Sequence, residues 1–150
     1  MLYPKSKISE HLADLGINPN DNIMIHGNAG IASQYIYNKG EEPIIGFFKE
    51  LIGYICDGTI IVPTFTYSAT KSEVFDVDRT SSNVGLFSEK FRLIDGAKRS
   101  HHPIFSVSAI GKNTSYFIDA RIDDCFGKNI FFDKLYNNNV KIVMMGCDFE

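Results

Sequence analysis

Apolar residues follow two rhythms along this chain. Ile8, Leu12 and Leu15 recur at helical spacing, Ser6 stands where an N-cap belongs, and Gly16 follows the last of them, which predicts a first helix ending near Leu15. His11 lies within that helix, on its exposed side. Asn18-Pro19-Asn20-Asp21 has turn composition, and Ile23 to Ile25 is a short apolar run with strand character. Pro43 suits the first turn of a helix, and Ile44, Phe47, Phe48, Leu51, Ile52 and Ile55 continue it on one face. After the Asp57-Gly58 turn, Thr59 to Val62 is an unbroken β-branched run, the signature of a strand buried on both faces, and Pro63 ends it. Strand, helix and strand in this order form a crossover unit, which requires a sheet that is at least partly parallel.

The second half continues in the same alternation. Val84 to Leu93 reads as a helix with Leu86, Phe87, Phe91 and Leu93 turned inward. Phe105 to Ile110 alternates as a strand, with Phe105, Val107 and Ala109 on one side and Ser106, Ser108 and Ile110 on the other. Short helices are predicted at Tyr116–Ile118 and Ile130–Tyr136, and a buried strand at Val140–Met145. The fold class is therefore α/β: a mixed, largely parallel sheet with helices on both faces. A buried strand ordinarily has a crossover helix after it. None follows Met145, so the sheet is expected to be incomplete at the C-terminus, with residues 1–150 the N-terminal part of one domain. An uncovered edge of that sheet would invite association into a homodimer.

Composition narrows the functional classes. The 150 residues are 44% hydrophobic and 22% charged, which is enough apolar material for a packed core. A net charge of -3, with no long basic run, gives no footprint for nucleic acid. Neither a membrane-length apolar run nor the apolar core of a signal peptide is present, so a cytoplasmic protein without a membrane partner is expected. Cys56, Cys125 and Cys147 are far apart and odd in number, which favours neither a disulfide framework nor a metal site. Cys56 and Cys147 lie among apolar residues and are expected to be buried thiols.

Chemistry concentrates in Gly96 to Gly111. Lys98, Arg99, Ser100, His101 and His102 are consecutive, Pro103 closes the run, and a strand follows. A cationic, hydrogen-bonding turn is thereby delivered to the mouth of a sheet, a place where α/β folds hold polar or anionic ligands; a solvated basic loop is the competing reading. His26-Gly27-Asn28-Ala29-Gly30 follows the first strand directly, and its glycines allow close backbone approach with amides facing a ligand. It is neither a dinucleotide fingerprint nor a P-loop. Thr64-Phe65-Thr66-Tyr67-Ser68 leaves the second strand with three hydroxyls and two rings, at the end where open sheets place ligands. The stretch from Ala69 to Asn83 is long and polar, and carries Glu73, Asp76, Asp78 and Arg79. Its carboxylates would suit a cationic substrate, or be ordinary solvated loop charges.

These segments, in this order, resemble the aminoglycoside 3-N-acetyltransferase family, also called the antibiotic N-acetyltransferases. The resemblance runs from about Asp21 to Gly146. It is carried by His26-Gly27-Asn28, Gly58 to Thr66, Phe75-Asp76, Thr80-Ser81-Ser82 with Gly85, Arg99-Ser100-His101-His102-Pro103 with Ser106-Val107, Phe126-Gly127, and Lys141 to Gly146. It implies transfer of acetyl from acetyl-CoA, with no metal, to the 3-N amine of an aminoglycoside. Relatives that acetylate amino sugars in surface polysaccharide synthesis, and a non-catalytic CoA-binding remnant, are the alternatives. The resemblance further implies that His26, Gly27, Asn28, Arg99, Ser100, His102, Ser106 and Val107 line the CoA cleft, and that Thr66, Tyr67, Asp76 and Asp148 meet the amine substrate. His102 is the one motif-matched histidine available as a catalytic candidate; it reads more readily as structural or cofactor-lining, and the resemblance places the main catalytic base beyond Glu150. Departures from the family pattern include Gly27 and Asn28 in place of two serines, Ser81 in place of a proline and Ile130 in place of a serine. These bear on specificity more than on fold.

Overall fold

The computed structural model describes residues 7–36 and 40–147. Among the described residues, five strands form one sheet: β1 (Asn22–Gly27), β2 (Thr59–Pro63), β3 (Lys98–Arg99), β4 (Val107–Gly111) and β5 (Lys141–Met145). Their order across the sheet is β3-β4-β2-β1-β5. β1 is parallel to both β2 and β5, whereas β4 is antiparallel to β2 and β3 is antiparallel to β4. The mixed, largely parallel sheet and the β1–helix–β2 crossover are thus as predicted.

Helices α1 (Ile8–Asp14), α2 (Pro43–Tyr54), α3 (Leu86–Arg92), α4 (Thr114–Ile118) and α5 (Phe131–Asn137) divide between two cores. In the first, Ile23, Ile25, Ile60, Val62, Val143 and Met145 pack against Ile8, Leu12, Phe47, Phe48, Leu51, Phe87 and Phe91. In the second, Met24, Ile61, Val107 and Ala109 pack against Phe117, Phe131 and Leu135. Successive strand side chains point to opposite faces, which is why the continuous runs of β1 and β2 are buried on both. The Phe48 ring meets those of Phe87 and Phe91 edge-on at centroid distances of 4.8 and 5.3 Å, a favoured aromatic geometry.

Several details depart from the sequence reading. Ser6 lies outside the described residues, and Lys7 occupies the N-cap of α1. In α3 only Phe87 and Phe91 of the four predicted apolar residues are buried; Leu86 and Leu93 are 58% and 62% exposed, because a helix of two turns shows the sheet a narrow face. β5 is an edge strand rather than a strand buried on both faces. Val143 and Met145 are covered, while Ile142 is 52% exposed, since α4 and α5 do not reach across that face. β4 begins at Val107, two residues later than predicted, and both serines of its other side, Ser106 and Ser108, are fully buried. Cys56 and Cys147 are exposed thiols, and Cys125 is partly covered. Ile55 beside Cys56 and Met145 two residues before Cys147 turn inward and leave the sulfurs outside.

Candidate functional site

The C-terminal ends of β1, β2 and β5 and the N-terminal end of β4 lie along one edge of the sheet, and most of the predicted site residues are there. His26 and Gly27 are the last residues of β1 rather than part of a turn. A Cβ on Gly27 would fall 2.7 Å from the Phe87 ring, so the space left by its missing side chain is taken by the core. Asn28 makes the turn. Its amide donates to the Met145 carbonyl (3.0 Å), and its Oδ1 accepts from the Gly30 amide (2.9 Å), starting a 3-10 helix at Ala29–Gln34. His26 is half-buried, and burial pushes its imidazole below the ordinary histidine range. Its carbonyl accepts from the Cys147 thiol at 3.3 Å.

Beyond Pro63 the chain stays extended alongside the residues that precede β4. The amides of Thr64, Thr66 and Ser68 donate to the carbonyls of Ser106, Ile104 and Pro103 at 2.9, 3.2 and 3.0 Å. The Ser106 hydroxyl donates to the Thr64 carbonyl (2.7 Å), the Thr66 hydroxyl to the Pro103 carbonyl (2.9 Å), and Ser100 Oγ accepts from the Val107 amide (3.0 Å). Ser100, Ser106, Val107 and Thr66 are therefore brought to the site but are buried and occupied within it. Tyr67 has φ of 56°, a left-handed conformation rare for a bulky residue. The neighbouring Ser68 hydroxyl is buried without a hydrogen-bond partner among the described residues.

His102 is almost fully buried and engaged at both nitrogens. Nδ1 accepts from the amides of Ile104 (3.1 Å) and Phe105 (3.0 Å). Nδ1 must then carry no proton, so the ring is the neutral Nε2–H tautomer, and Nε2 donates to the Asp124 carbonyl at 3.3 Å. This ties the turn before β4 to the loop before α5. Arg99 is half-buried, with four of its five N–H donors committed: Nε to Ser106 Oγ (3.3 Å), Nη1 to the carbonyls of Val77 (3.3 Å) and Thr80, and Nη2 to the Thr64 carbonyl (2.6 Å). Its guanidinium lies 5.1 Å from the centre of the Phe75 ring. Desolvation, followed by the nearby Arg92, lowers its pKa to about 10, so it remains a cation at neutral pH.

Asp76 is exposed. Its Oδ1 accepts from the amides of Arg79 (3.0 Å) and Asp78 (2.9 Å), and these bonds hold its carboxyl below the ordinary range. Asp148 lies outside the described residues. Among the described residues, no three His, Cys, Asp or Glu side chains group to hold a metal ion, and no helix is long and apolar enough to cross a membrane.

The sequence reading missed an aromatic cluster here. Phe105 is its hub, with ring centroids 5.2 Å from Phe65, 5.6 Å from Phe132, 6.0 Å from Phe126 and 6.4 Å from Tyr67. Phe65 and Tyr67 leave β2 beside the hydroxyls of Thr64–Ser68, and Phe105 follows the basic turn; that neighbourhood of rings and polar motifs was the available signal. It also missed Glu89. Its carboxylate takes Arg92 bidentately (2.7 and 2.6 Å) together with the Ser82 amide (2.8 Å).

An open α/β sheet with polar loops gathered at the ends of its parallel strands is the class of fold that these features define. The family model described as aminoglycoside 3-N-acetyltransferase matches residues 36–150, and the chain belongs to that family. It is 24% identical to the SPbeta prophage-derived aminoglycoside N(3')-acetyltransferase-like protein YokD of Bacillus subtilis (strain 168), over 99% of this chain and 62% of that protein. The crystal structure of aminoglycoside acetyltransferase AAC(3)-IVa, apoenzyme, superposes with a TM-score of 0.79 at 20% identity, covering 98% of this chain and 57% of that one. AAC-IIIb, solved as a binary complex with CoASH, gives 0.72 at 23% identity, covering 91% and 56%. The chain spans about three fifths of the length of the relatives it matches.

Proposed function

We propose that this chain carries the acetyl-CoA cleft and the amine-recognition loop of an acyl transfer in which acetyl passes from acetyl-CoA to the 3-N amine of an aminoglycoside. One observation carries the reading. The end of β1 at His26-Gly27, with the Asn28 turn that follows it, and the carboxylate-bearing loop Glu73–Asn83 stand at the same sheet edge, the loop being bonded directly to the segment after β2 through Asn83, whose amide donates to the Phe65 carbonyl (2.8 Å) and whose side chain donates to that of Thr66. The relative AAC-IIIb was solved with CoASH and the relative AAC-VIa with sisomicin, which supports the choice of both substrates.

In this reaction the amine attacks the thioester carbonyl, loses a proton to a base, and CoA leaves as its thiol. His26, Gly27 and Asn28 offer backbone and imidazole to the co-substrate. Ser100, His102, Ser106 and Val107 shape the wall behind it. Thr66 and Tyr67 floor the amine side; Asp76, and Asp148 after β5, supply negative charge. His102 has both nitrogens in use and serves as a positioning residue; the resemblance to the family assigns the base to the part of the family's length that this chain does not span. The same commitment of His102 favours, as a second reading, CoA binding without turnover.

Isothermal titration with CoA and a thiol-release assay with acetyl-CoA and sisomicin separate these outcomes. CoA binding with thiol release supports the transferase. Binding without release supports the second reading, and no CoA binding removes both.

A further inference from the structure

The loop Glu73–Asn83 contains neither helix nor strand, yet two arginines from different elements fix it. From β3, Arg99 holds the Val77 and Thr80 carbonyls with Nη1 while its Nη2 grips the end of β2 at Thr64. From α3, Arg92 Nη1 donates to the Asp78 carbonyl (2.9 Å), and Glu89, paired with Arg92, receives the Ser82 amide. The loop's carbonyls are thus turned toward the arginines, while Glu73, Asp76 and Asp78 remain exposed. The opposing cation within the loop is Arg79, whose Nε stands 4.0 Å from Asp76 in an exposed pair that contributes little.

We infer that Arg99 is a positioning residue for amine recognition rather than a ligand of CoA phosphate: it clamps the acidic loop over the end of β2 and presets where its carboxylates stand. What the loop receives rests on the acetyl-transfer reading; how the loop is held rests on the geometry alone. A guanidinium is required because its planar fork reaches three carbonyls and a hydroxyl at once, which the single ammonium of a lysine cannot do. A preset carboxylate cluster favours a multiply charged amine, because the loop need not be ordered at the moment of binding.

The test is hydrogen exchange by mass spectrometry on the whole chain, wild type against Arg99→Lys, with Lys98→Gln as a neighbouring charge control and Glu89→Gln loosening the same loop from α3. In Arg99→Lys, exchange across 76–83 is expected to speed up about tenfold while β1 and α2 keep their rates; Glu89→Gln reproduces this and Lys98→Gln does not. Titration is expected to show sisomicin binding weakened about tenfold in Arg99→Lys, with CoA binding unchanged. Unchanged loop exchange overturns the clamp, whether or not CoA binding weakens. CoA binding weakened with loop exchange unchanged would make Arg99 a phosphate ligand. A wild-type chain that binds neither compound removes the acetyl-transfer reading, and the exchange result still decides the clamp.

Discussion

Two corners of the same sheet edge use their polar residues differently. At the β2–β4 corner, Thr64, Thr66, Arg99, Ser100, His102 and Ser106 are all bonded to other parts of the chain, mostly to backbone carbonyls and amides. At the β1–β5 corner, Asn28 caps a short 3-10 helix, Cys147 is exposed, and the His26 ring has no hydrogen-bond partner among the described residues. A motif rich in Arg, Ser and His can therefore be structural, because a buried loop has carbonyls that need donors. The sparser corner is where side chains remain available to a ligand.

The contrast can be broken from below. Phe87 is fully buried and fills the space at Gly27, at the end of β1, and Phe87→Ala is expected to destabilise by about 3–5 kcal/mol in urea unfolding; a value below about 1 would mean that the sheet edge does not rest on this ring. Gly27→Ala sets a methyl group against that ring and is expected to lower stability by roughly 1–3 kcal/mol, with double mutation to Gly27→Ala/Phe87→Leu recovering part of it. At the dense corner, His102→Ala leaves the Ile104 and Phe105 amides without their acceptor, with an expected loss of about 2 kcal/mol and faster exchange at 124–126; normal exchange there would show that His102 does not tie the two loops.

Acid separates the corners next. The His26 pKa lies below its ordinary value of 6.5 in the folded chain, so between those two values the unfolded chain binds more protons. Its effect on stability is absent above the ordinary value, and stability falls as pH drops from there toward the folded value. His26→Gln is expected to flatten that part of the stability–pH curve. The smallest effect belongs at the edge of β5: Ile142→Thr, on a half-exposed side chain, is expected to change stability by no more than about 0.5 kcal/mol. A larger loss in dilute solution would mean that something covers this strand.

The α/β class, the crossover unit, the two short helices of the second half and the burial of β2 on both faces were legible in the sequence. They follow from local periodicity and from β-branched runs, which a single strand or helix displays without its neighbours. The site was legible as a set of segments, because hydroxyls, histidines and carboxylates cluster at predicted strand ends. What only the tertiary structure decided was which of those groups remain available. Ser106 and Ser108 alternate as a wet face would, yet they are buried because Thr64 lies beside them. Ile142 sits in a run like that of β2 but is half-exposed because α4 and α5 do not reach across that face of β5. Arg99 reads as one cation of a ligand-facing basic turn until the loop 75–80, some twenty residues earlier in the chain, folds onto it. Periodicity reports which way a side chain faces along its own element; burial and hydrogen-bond commitment depend on what other elements place against it, and a linear sequence does not carry that information.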